Sequence, residues 1–154
     1  MTLEPLYRMT FNNPEGWGTK VTGEHGSEGH YFFVAEGRAE GTVAGRLRAV
    51  NHPRSRVDGC ALPNIQGVIE TDDGATVLFD LTGFARPYPD GRRQIGVHGH
   101  PTSEDPRYSR LNDVVSVATG EIRPKEGGGP RDVVGHSIDF VIDVAELVWD
   151  GVPD

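Results

Sequence analysis

Residues 65–85 constrain the fold more than any other part of the chain. They read IQGVIE, TDDG and ATVLFDLTGFA in order, so two stretches with an alternating pattern flank an Asp-Asp-Gly turn. Asp-Gly supplies the positive backbone angles that a tight hairpin turn needs. The segment therefore predicts two antiparallel strands.

Short β-rich stretches between turn residues recur along the whole chain. Further strands are predicted in residues 3–11, 31–35, 37–50, 92–97, 111–122 and 138–149. We find no apolar stripe of helical period longer than about two turns. About eight strands of this kind favour a closed barrel or a sandwich, because closure leaves no exposed edge. A chain of 154 residues can bury one core, so we predict a single domain spanning residues 1–154.

Polar stretches between the predicted strands are interpreted as loops. Residues 12–29 contain five glycines, and a structureless connection of that length is commonly functional. We interpret this stretch as a lid or a mobile flap. Residues 51–63 and 124–135, the latter containing EGGGP, are predicted as further irregular segments, and residues 87–91 as a turn.

Charge and cysteine content exclude several classes of protein. The net charge is −8 and the basic residues occur in small groups, which argues against a nucleic-acid surface. Cys60 is the only cysteine, so neither an intramolecular disulfide nor a thiolate zinc cluster can form. No stretch approaches about 20 apolar residues, and the first residues lack a signal-peptide pattern. We therefore expect a soluble cytoplasmic protein that binds neither nucleic acid nor membrane.

Four sequence motifs in a fixed order resemble a known family. They are LEPLYRMTF, TDDGA, PRYSRLNDVVSVATGEI and FVIDVAELVW, and together they resemble the β-barrel family named domain of unknown function 3237. The resemblance implies a compact antiparallel barrel, similar in outline to calycin and allene-oxide-cyclase-like barrels, which commonly hold a small or apolar molecule. Tyr108 and Asn112 are among the matched positions. We therefore predict an all-β fold, a single antiparallel β-barrel with long loops at one rim.

His98 and His100 form the first candidate site. Alternate side chains of a strand point to the same face, so both imidazoles could bind one metal ion. Glu104 completes HxHxxxE, the ligand spacing of the first cupin motif, which would suit iron, manganese or zinc. Pro101 ends the predicted strand directly after the pair, however, and no convincing second cupin motif surrounds His136. We therefore predict no metal and no cofactor, and name His98, His100 and Glu104 as the ligands if a metal is bound.

Two carboxylates in the central hairpin are candidates for acid–base work. A histidine, or a carboxylate that burial desolvates, can act as a general base near neutral pH. Asp80 shares a strand face with Leu78, and Glu70 shares one with Val68. If that face lines the lumen, the carboxylate is a pocket acid or base, and if it faces outward, the residue is an ordinary surface group. The sequence leaves both orientations open.

Aromatic residues and histidines near the predicted flap are candidate pocket residues. Trp17 lies within the flap, and His30 and Tyr31 lie at its end, although Tyr31 could equally belong to the core. His52 precedes a proline at a predicted strand end, which suits a position on a barrel rim.

The pair Arg92 and Arg93 follows a Pro-Asp-Gly turn and could clamp a carboxylate or an enolate, although such pairs are mostly solvated. Tyr108 and Asn112 are interpreted as structural, with an inward hydrogen-bonding role left open. The predicted substrate-binding residues are Trp17, His30, Tyr31, His52, Glu70, Arg92, Tyr108 and Asn112.

These patterns lead to three functional hypotheses. The leading one is a cofactor-independent enzyme that performs proton transfer, as in isomerisation, cyclisation or hydration and elimination, on a small, partly apolar organic substrate. The predicted catalytic residues are His98, His100 and Asp80, and Arg92, Tyr31 or His30 would position an oxyanion. The alternatives are a non-catalytic, lipocalin-like binder of small molecules and a cupin-type metalloenzyme. The expected partner is a small-molecule ligand or substrate, and a homodimer is left open.

Overall fold

The structure is a computed structural model that describes residues 1–87, 89, 92–125 and 134–154, apart from the side chains of His136 and Ser137. Its strands are β1 (Thr2–Gly23), β2 (Gly26–Gly41), β3 (Gly45–Asn51), β4 (Arg54–Ser55), β5 (Ala61–Leu62), β6 (Asn64–Thr71), β7 (Thr76–Pro87), β8 (Arg93–Gly99), β9 (Pro101–Thr102), β10 (Ser116–Pro124) and β11 (Gly135–Val148). A 3₁₀ helix, Pro106–Asp113, precedes β10. No helix in these described ranges is both long and apolar enough to cross a membrane.

The principal strands close into a ring. In chain order, β1, β2, β3, β6, β7, β8, β10 and β11 each pair antiparallel with the next, and β11 pairs back onto β1. Closure removes the edges along which an open sheet could aggregate. The predicted all-β fold with a single antiparallel β-barrel is confirmed.

Side-chain alternation along the central hairpin separates the inside of the barrel from the outside. On β7, Val77, Phe79 and Leu81 are buried, whereas Leu78 and Asp80 between them are exposed. The same alternation on the neighbouring strands fills the interior with apolar side chains. Those that are fully buried include Met9, Leu47, Ile69, Val77, Leu81 and Ile142.

The segment predicted as a flap is strand. Apart from a turn at residues 24–25, residues 12–29 belong to β1 and β2, which pair from Glu15 opposite Val34 to Gly23 opposite Gly26. The glycines that suggested a loop instead make room for aromatic rings on the opposite strand. A Cβ atom on Gly16 would lie 2.4 Å from the ring of Phe33. The prediction of a structureless loop was therefore wrong, because glycine in a strand also marks close packing. The role of a lid stays a prediction.

The predicted single strand over residues 37–50 is divided by a turn. β2 ends at Gly41 and β3 begins at Gly45. Gly41 has a φ of +133°, which other residues rarely adopt, and the amide of Thr42 donates to the carbonyl of Leu6 at 2.8 Å. The two glycines that were interpreted as bulges therefore flank a chain reversal.

At one end of the barrel, the short strands β4 and β5 take the place of β3 and β6 in the wall. We call residues 54–62, which contain these two strands, the ribbon. β4 pairs with β2, β5 pairs with β4, and Ala61 of β5 pairs with Ala85 of β7. The predicted irregular segment 51–63 thus contains two short strands. The predicted EGGGP loop, residues 126–130, lies outside the described residues, as do most of residues 87–91.

The opposite end is closed by the 3₁₀ helix. Its Leu111 and the following Val114 are buried in the core. The hydroxyl of Tyr108 donates to a carboxylate oxygen of Asp73 at 2.8 Å, which ties the helix to the β6–β7 turn. Asn112 exchanges two hydrogen bonds with the backbone of Ser103, at 2.8 and 2.9 Å. This end of the barrel is therefore closed by the helix, and space for a ligand inside the barrel is expected at the other end.

Candidate functional site

A cavity of about 420 Å³ lies at the end of the barrel opposite the 3₁₀ helix. It is bounded by inward-facing residues of the barrel wall and by the β4–β5 ribbon. The lining residues are Tyr31, Phe33, Asn51, Pro53, Arg54, Ser55, Arg56, Gly59, Ala61, Pro63, Ile65, Ala85, Arg93, Ile95, Ile122 and Phe140. This volume falls within the range of natural small-molecule sites.

The floor of the cavity is apolar. Phe33, Ile95 and Phe140 are buried, and each lies between two less buried neighbours on its strand, which is the pattern of inward-facing residues. Phe140 stacks on Phe11 with ring centroids 4.8 Å apart and an interplanar angle of 8°. This stacked pair separates the cavity from the filled core.

Tyr31 forms one wall of the cavity, as the sequence predicted for a pocket residue. Its ring is parallel to that of Phe33, with centroids 6.0 Å apart. On its other side the ring packs against β1 where Gly18 has no side chain, since a Cβ there would lie 2.6 Å from Tyr31 Cδ1. Its amide donates to the carbonyl of Pro53 at 3.0 Å. These contacts hold a flat aromatic surface against the cavity.

Arg93 brings positive charge to the mouth of the cavity. It shares the inward face of β8 with Ile95 and Val97. The half-buried side chain reaches the ribbon, where Nη2 donates a long hydrogen bond of 3.5 Å to the carbonyl of Gly59. No carboxylate in the described part of the chain lies within ion-pair distance of Arg93.

The other two arginines at the mouth have acidic partners. Arg56 forms a two-pronged pair with Asp58, and that guanidinium, together with the amide of Cys60, lowers the pKa of Asp58 to about 2. Arg54 also lines the cavity, and its Nε lies 3.8 Å from a carboxylate oxygen of Glu28. Among the described residues, Arg93 is therefore the lining arginine without an acidic partner.

The predicted general bases lie on the outside of the barrel. Asp80, His98 and His100 are all exposed, whereas the residues that alternate with them are buried. Asp80 accepts a hydrogen bond of 2.8 Å from the backbone amide of His100. Glu70 also faces outward and is exposed. The sequence left open whether these carboxylates face inward or outward. In the structure both face outward and are surface groups.

Two of these residues meet in a groove on the outer wall. Asp80 and His100 line a broad concavity of about 780 Å³ over β3, β6 and β7, beside Arg48 and Gln66. A second outer concavity of about 580 Å³ lies over β8 and β10, around the open space beside Gly96. Both are depressions in the exposed wall, whereas the lumen cavity is bounded by inward-facing side chains. Of these three concavities, the lumen cavity is the most enclosed, which favours it as a site for a small molecule.

The proposed metal ligands do not form a metal site. His98, His100 and Glu104 are exposed, and the described residues contain no group of three or more His, Cys, Asp or Glu side chains that could hold a metal ion. Pro101 lies in β9, so the chain turns away from β8 directly after His100. The HxHxxxE spacing is that of a cupin motif, but the three side chains do not converge as the ligands of a metal site must.

Other predicted pocket residues form an exposed aromatic row on the outer wall. The rings of Trp17 and Phe32 are 6.4 Å apart, and those of Phe32 and His52 are 6.1 Å apart. His30 lies on the same outer face, where its Nε2 is 2.8 Å from a carboxylate oxygen of Glu28. None of these side chains lines the lumen cavity.

The remaining predicted binding residues also lie away from the cavity. Arg92 is exposed and pairs with Glu121 at 3.4 Å, whereas Tyr108 and Asn112 secure the closed end. The sequence analysis therefore placed one of its eight binding residues, Tyr31, in the cavity wall. Arg93 could have been selected in place of Arg92, because it alternates in phase with the apolar Ile95 and Val97.

Together these features define a small antiparallel β-barrel with a lumen cavity at one end. No family model matches the chain, so its resemblance to domain of unknown function 3237 stays a prediction. No curated protein is significantly similar to it.

Solved structures share the fold. A β-barrel-like protein from Acinetobacter baumannii AYE is 19% identical over 94% of each chain, with a TM-score of 0.71. A conserved protein of unknown function from Rhodopseudomonas palustris is 16% identical over 96% of this chain and 99% of its own, with a TM-score of 0.70. A protein of unknown function from Clostridium acetobutylicum ATCC 824 is 11% identical over 96% of this chain and 100% of its own, also with a TM-score of 0.70. Identities this low establish the fold alone.

Proposed function

We propose that the protein binds a small, partly apolar organic molecule in the lumen cavity without transforming it. The observation that carries this proposal is the cavity of about 420 Å³ with its buried floor of Phe33, Ile95 and Phe140. Of the three hypotheses raised by the sequence, this is the lipocalin-like binder.

Proton-transfer catalysis has less support from the same cavity. A general base must lie within hydrogen-bond reach of the proton that it removes. The described lining residues include no histidine, aspartate or glutamate. The residues predicted as bases, His98, His100 and Asp80, are on the outer wall, on the other side of the sheet from the lumen.

The expected affinity follows from the apolar area that the floor can cover. A ligand that buries about 300 Å² of apolar surface gains roughly 7 kcal/mol from leaving water. Part of that gain offsets the lost freedom of motion, so we expect dissociation constants in the micromolar range for simple apolar probes.

A matched pair of substitutions on the ribbon tests the site. Ala61 lines the cavity beside Ala85, whereas the next residue, Leu62, is not among the lining residues. Ala61→Phe should reduce the affinity for the neutral fluorophore N-phenyl-1-naphthylamine at least tenfold, because the added ring occupies the mouth. Leu62→Phe should change that affinity less than twofold.

The readout is a fluorescence titration of the wild type and both variants, with circular dichroism to establish that each is folded. Absence of binding to the wild type, or equal binding to all three proteins, contradicts the proposal. Native mass spectrometry of untagged protein adds an independent measurement, since an organic adduct that Ala61→Phe removes would come from the lumen.

A further inference from the structure

We infer that the ligand carries a carboxylate, which Arg93 binds at the mouth while the apolar body lies on the aromatic floor. This inference rests on the proposed function, because it names the chemical class of the molecule held in the lumen.

The position of Arg93 is the first step of the argument. Arg93 pairs with Ile122 of β10 and stands one inward position before Ile95, so its side chain starts from the inner wall at the rim. Its hydrogen bond to the carbonyl of Gly59 places the guanidinium across the opening, against the tip of the ribbon. A molecule seated on the floor would therefore have one end directed at this cation.

The second step is the charge around Arg93. The chain has 23 acidic residues and 15 basic ones, and its outer wall pairs arginines with acids repeatedly, as in Arg8 with Asp143 and Arg110 with Glu146. Arg93 faces a cavity and has no such partner in the described ranges. In the part of the chain that the structure describes, its one acceptor is the neutral carbonyl of Gly59 at 3.5 Å, so these residues leave the other guanidinium donors available.

The third step is the fit between these donors and an anion. A guanidinium presents parallel N–H groups that match the two oxygens of a carboxylate, and partial burial strengthens the pair. Arg56, another cation of the rim, already pairs with Asp58. The single positive charge of one guanidinium matches the charge of a monocarboxylate better than that of a phosphate dianion.

The fourth step is the shape of the rest of the molecule. Tyr31 and Phe33 are nearly parallel, with an interplanar angle of 6°, and Phe140 lies flat on Phe11. Aromatic faces of this kind pack well against planar rings. The ligand class is therefore an aromatic monocarboxylate.

The test compares two probes that differ in charge and share one ring system, 2-naphthoate and 2-naphthalenemethanol. Isothermal titration calorimetry on the full chain should give at least tenfold tighter binding of 2-naphthoate. Arg93→Gln should abolish that preference, with less than a twofold change in affinity for the alcohol. Arg92→Gln is the matched control, because it removes a neighbouring charge from the outer wall, and should leave both affinities unchanged.

Each outcome decides between the two proposals. If the alcohol binds as tightly as the carboxylate to the wild type, the lumen binds ligands but the role of Arg93 is overturned. The role of Arg93 is also overturned if Arg93→Gln and Arg92→Gln lower the affinity for 2-naphthoate equally. Such a loss would come from the change in net charge and not from a contact with Arg93. If neither probe binds, the proposed function fails and this inference fails with it. The preference for 2-naphthoate over 2-naphthalenemethanol is measured on the wild type alone. This part of the test can therefore be made even if Arg93→Gln does not fold.

Discussion

Arg92 and Arg93 are adjacent in the chain but lie on opposite sides of the barrel wall. Arg92 is exposed and pairs with Glu121 on the outer face, whereas Arg93 reaches from the inner face to the carbonyl of Gly59. In a strand of alternating side chains, a shift of one residue exchanges the two environments. The partners of each arginine therefore depend on the face of the wall to which its side chain points, and not on the residues next to it in the sequence.

The outward orientation of the predicted catalytic residues leads to the first prediction. His98→Ala, His100→Ala and Asp80→Asn should each leave the affinity for N-phenyl-1-naphthylamine within twofold of the wild-type value, because none of these side chains reaches the lumen cavity. Fluorescence titration measures this directly. A loss of tenfold or more in any folded variant would place the ligand in the outer groove beside Asp80 and His100 instead.

The second prediction concerns two glycines of β8. A Cβ atom on Gly99 would lie 1.6 Å from the carbonyl oxygen of Asp80, whereas one on Gly96 would meet no atom within 4 Å. Gly99→Ala must displace the β7 backbone and should lower the free energy of unfolding by at least about 2 kcal/mol. Gly96→Ala should change it by less than about 1 kcal/mol. Urea denaturation of both variants checks the contrast, and equal stabilities would refute the close approach of β7 and β8.

The third prediction concerns pH. Asp105 caps the 3₁₀ helix, and hydrogen bonds from the side chain and backbone amide of Arg107 lower the pKa of its carboxyl from 3.8 to about 2. Because the folded state favours the charged form, this stabilisation is complete above pH 4 and is lost as the pH falls towards 2.

Asp105→Asn isolates this effect, since asparagine can still cap the helix without carrying the charge. The variant should be less stable than the wild type at pH 6, and the difference should shrink between pH 4 and pH 2. Denaturant midpoints measured at pH 6, 4, 3 and 2 provide the check. A difference that does not vary with pH would show that the Asp105–Arg107 pair does not stabilise the fold.

The fold could largely be predicted from the sequence, because its signals are local. The Asp-Gly turn after Thr71 and the alternation on β6 and β7 define a hairpin, and repeated strands without helical periodicity favour closure. The extended hairpin of β1 and β2 was missed for a different reason. Glycines such as Gly16 and Gly18 are typical of loops in a sequence. The structure shows that they instead make room for the rings of Phe33 and Tyr31 on the opposite strand.

The site was harder to predict because it depends on register and on distant pairings. Asp80 and His98 have the residue types of an active site, but the side to which they point follows from which neighbours are buried. On β8 that information was present in the sequence, since Ile95 and Val97 mark the inner face and Arg93 shares it. The contribution of the ribbon could not be read in this way, because its two-residue strands carry no periodic signal.

The 3₁₀ helix at the closed end has a consequence for kinetics. With Leu111 and Val114 buried there, a molecule in the lumen must enter and leave through the same passage past the ribbon. By microscopic reversibility, a change that narrows this passage without touching the bound state slows capture and escape by the same factor. For the proposed ligand, the ribbon would therefore change the rates of entry and exit without changing the affinity, whereas the floor and Arg93 would set the affinity and with it part of the residence time.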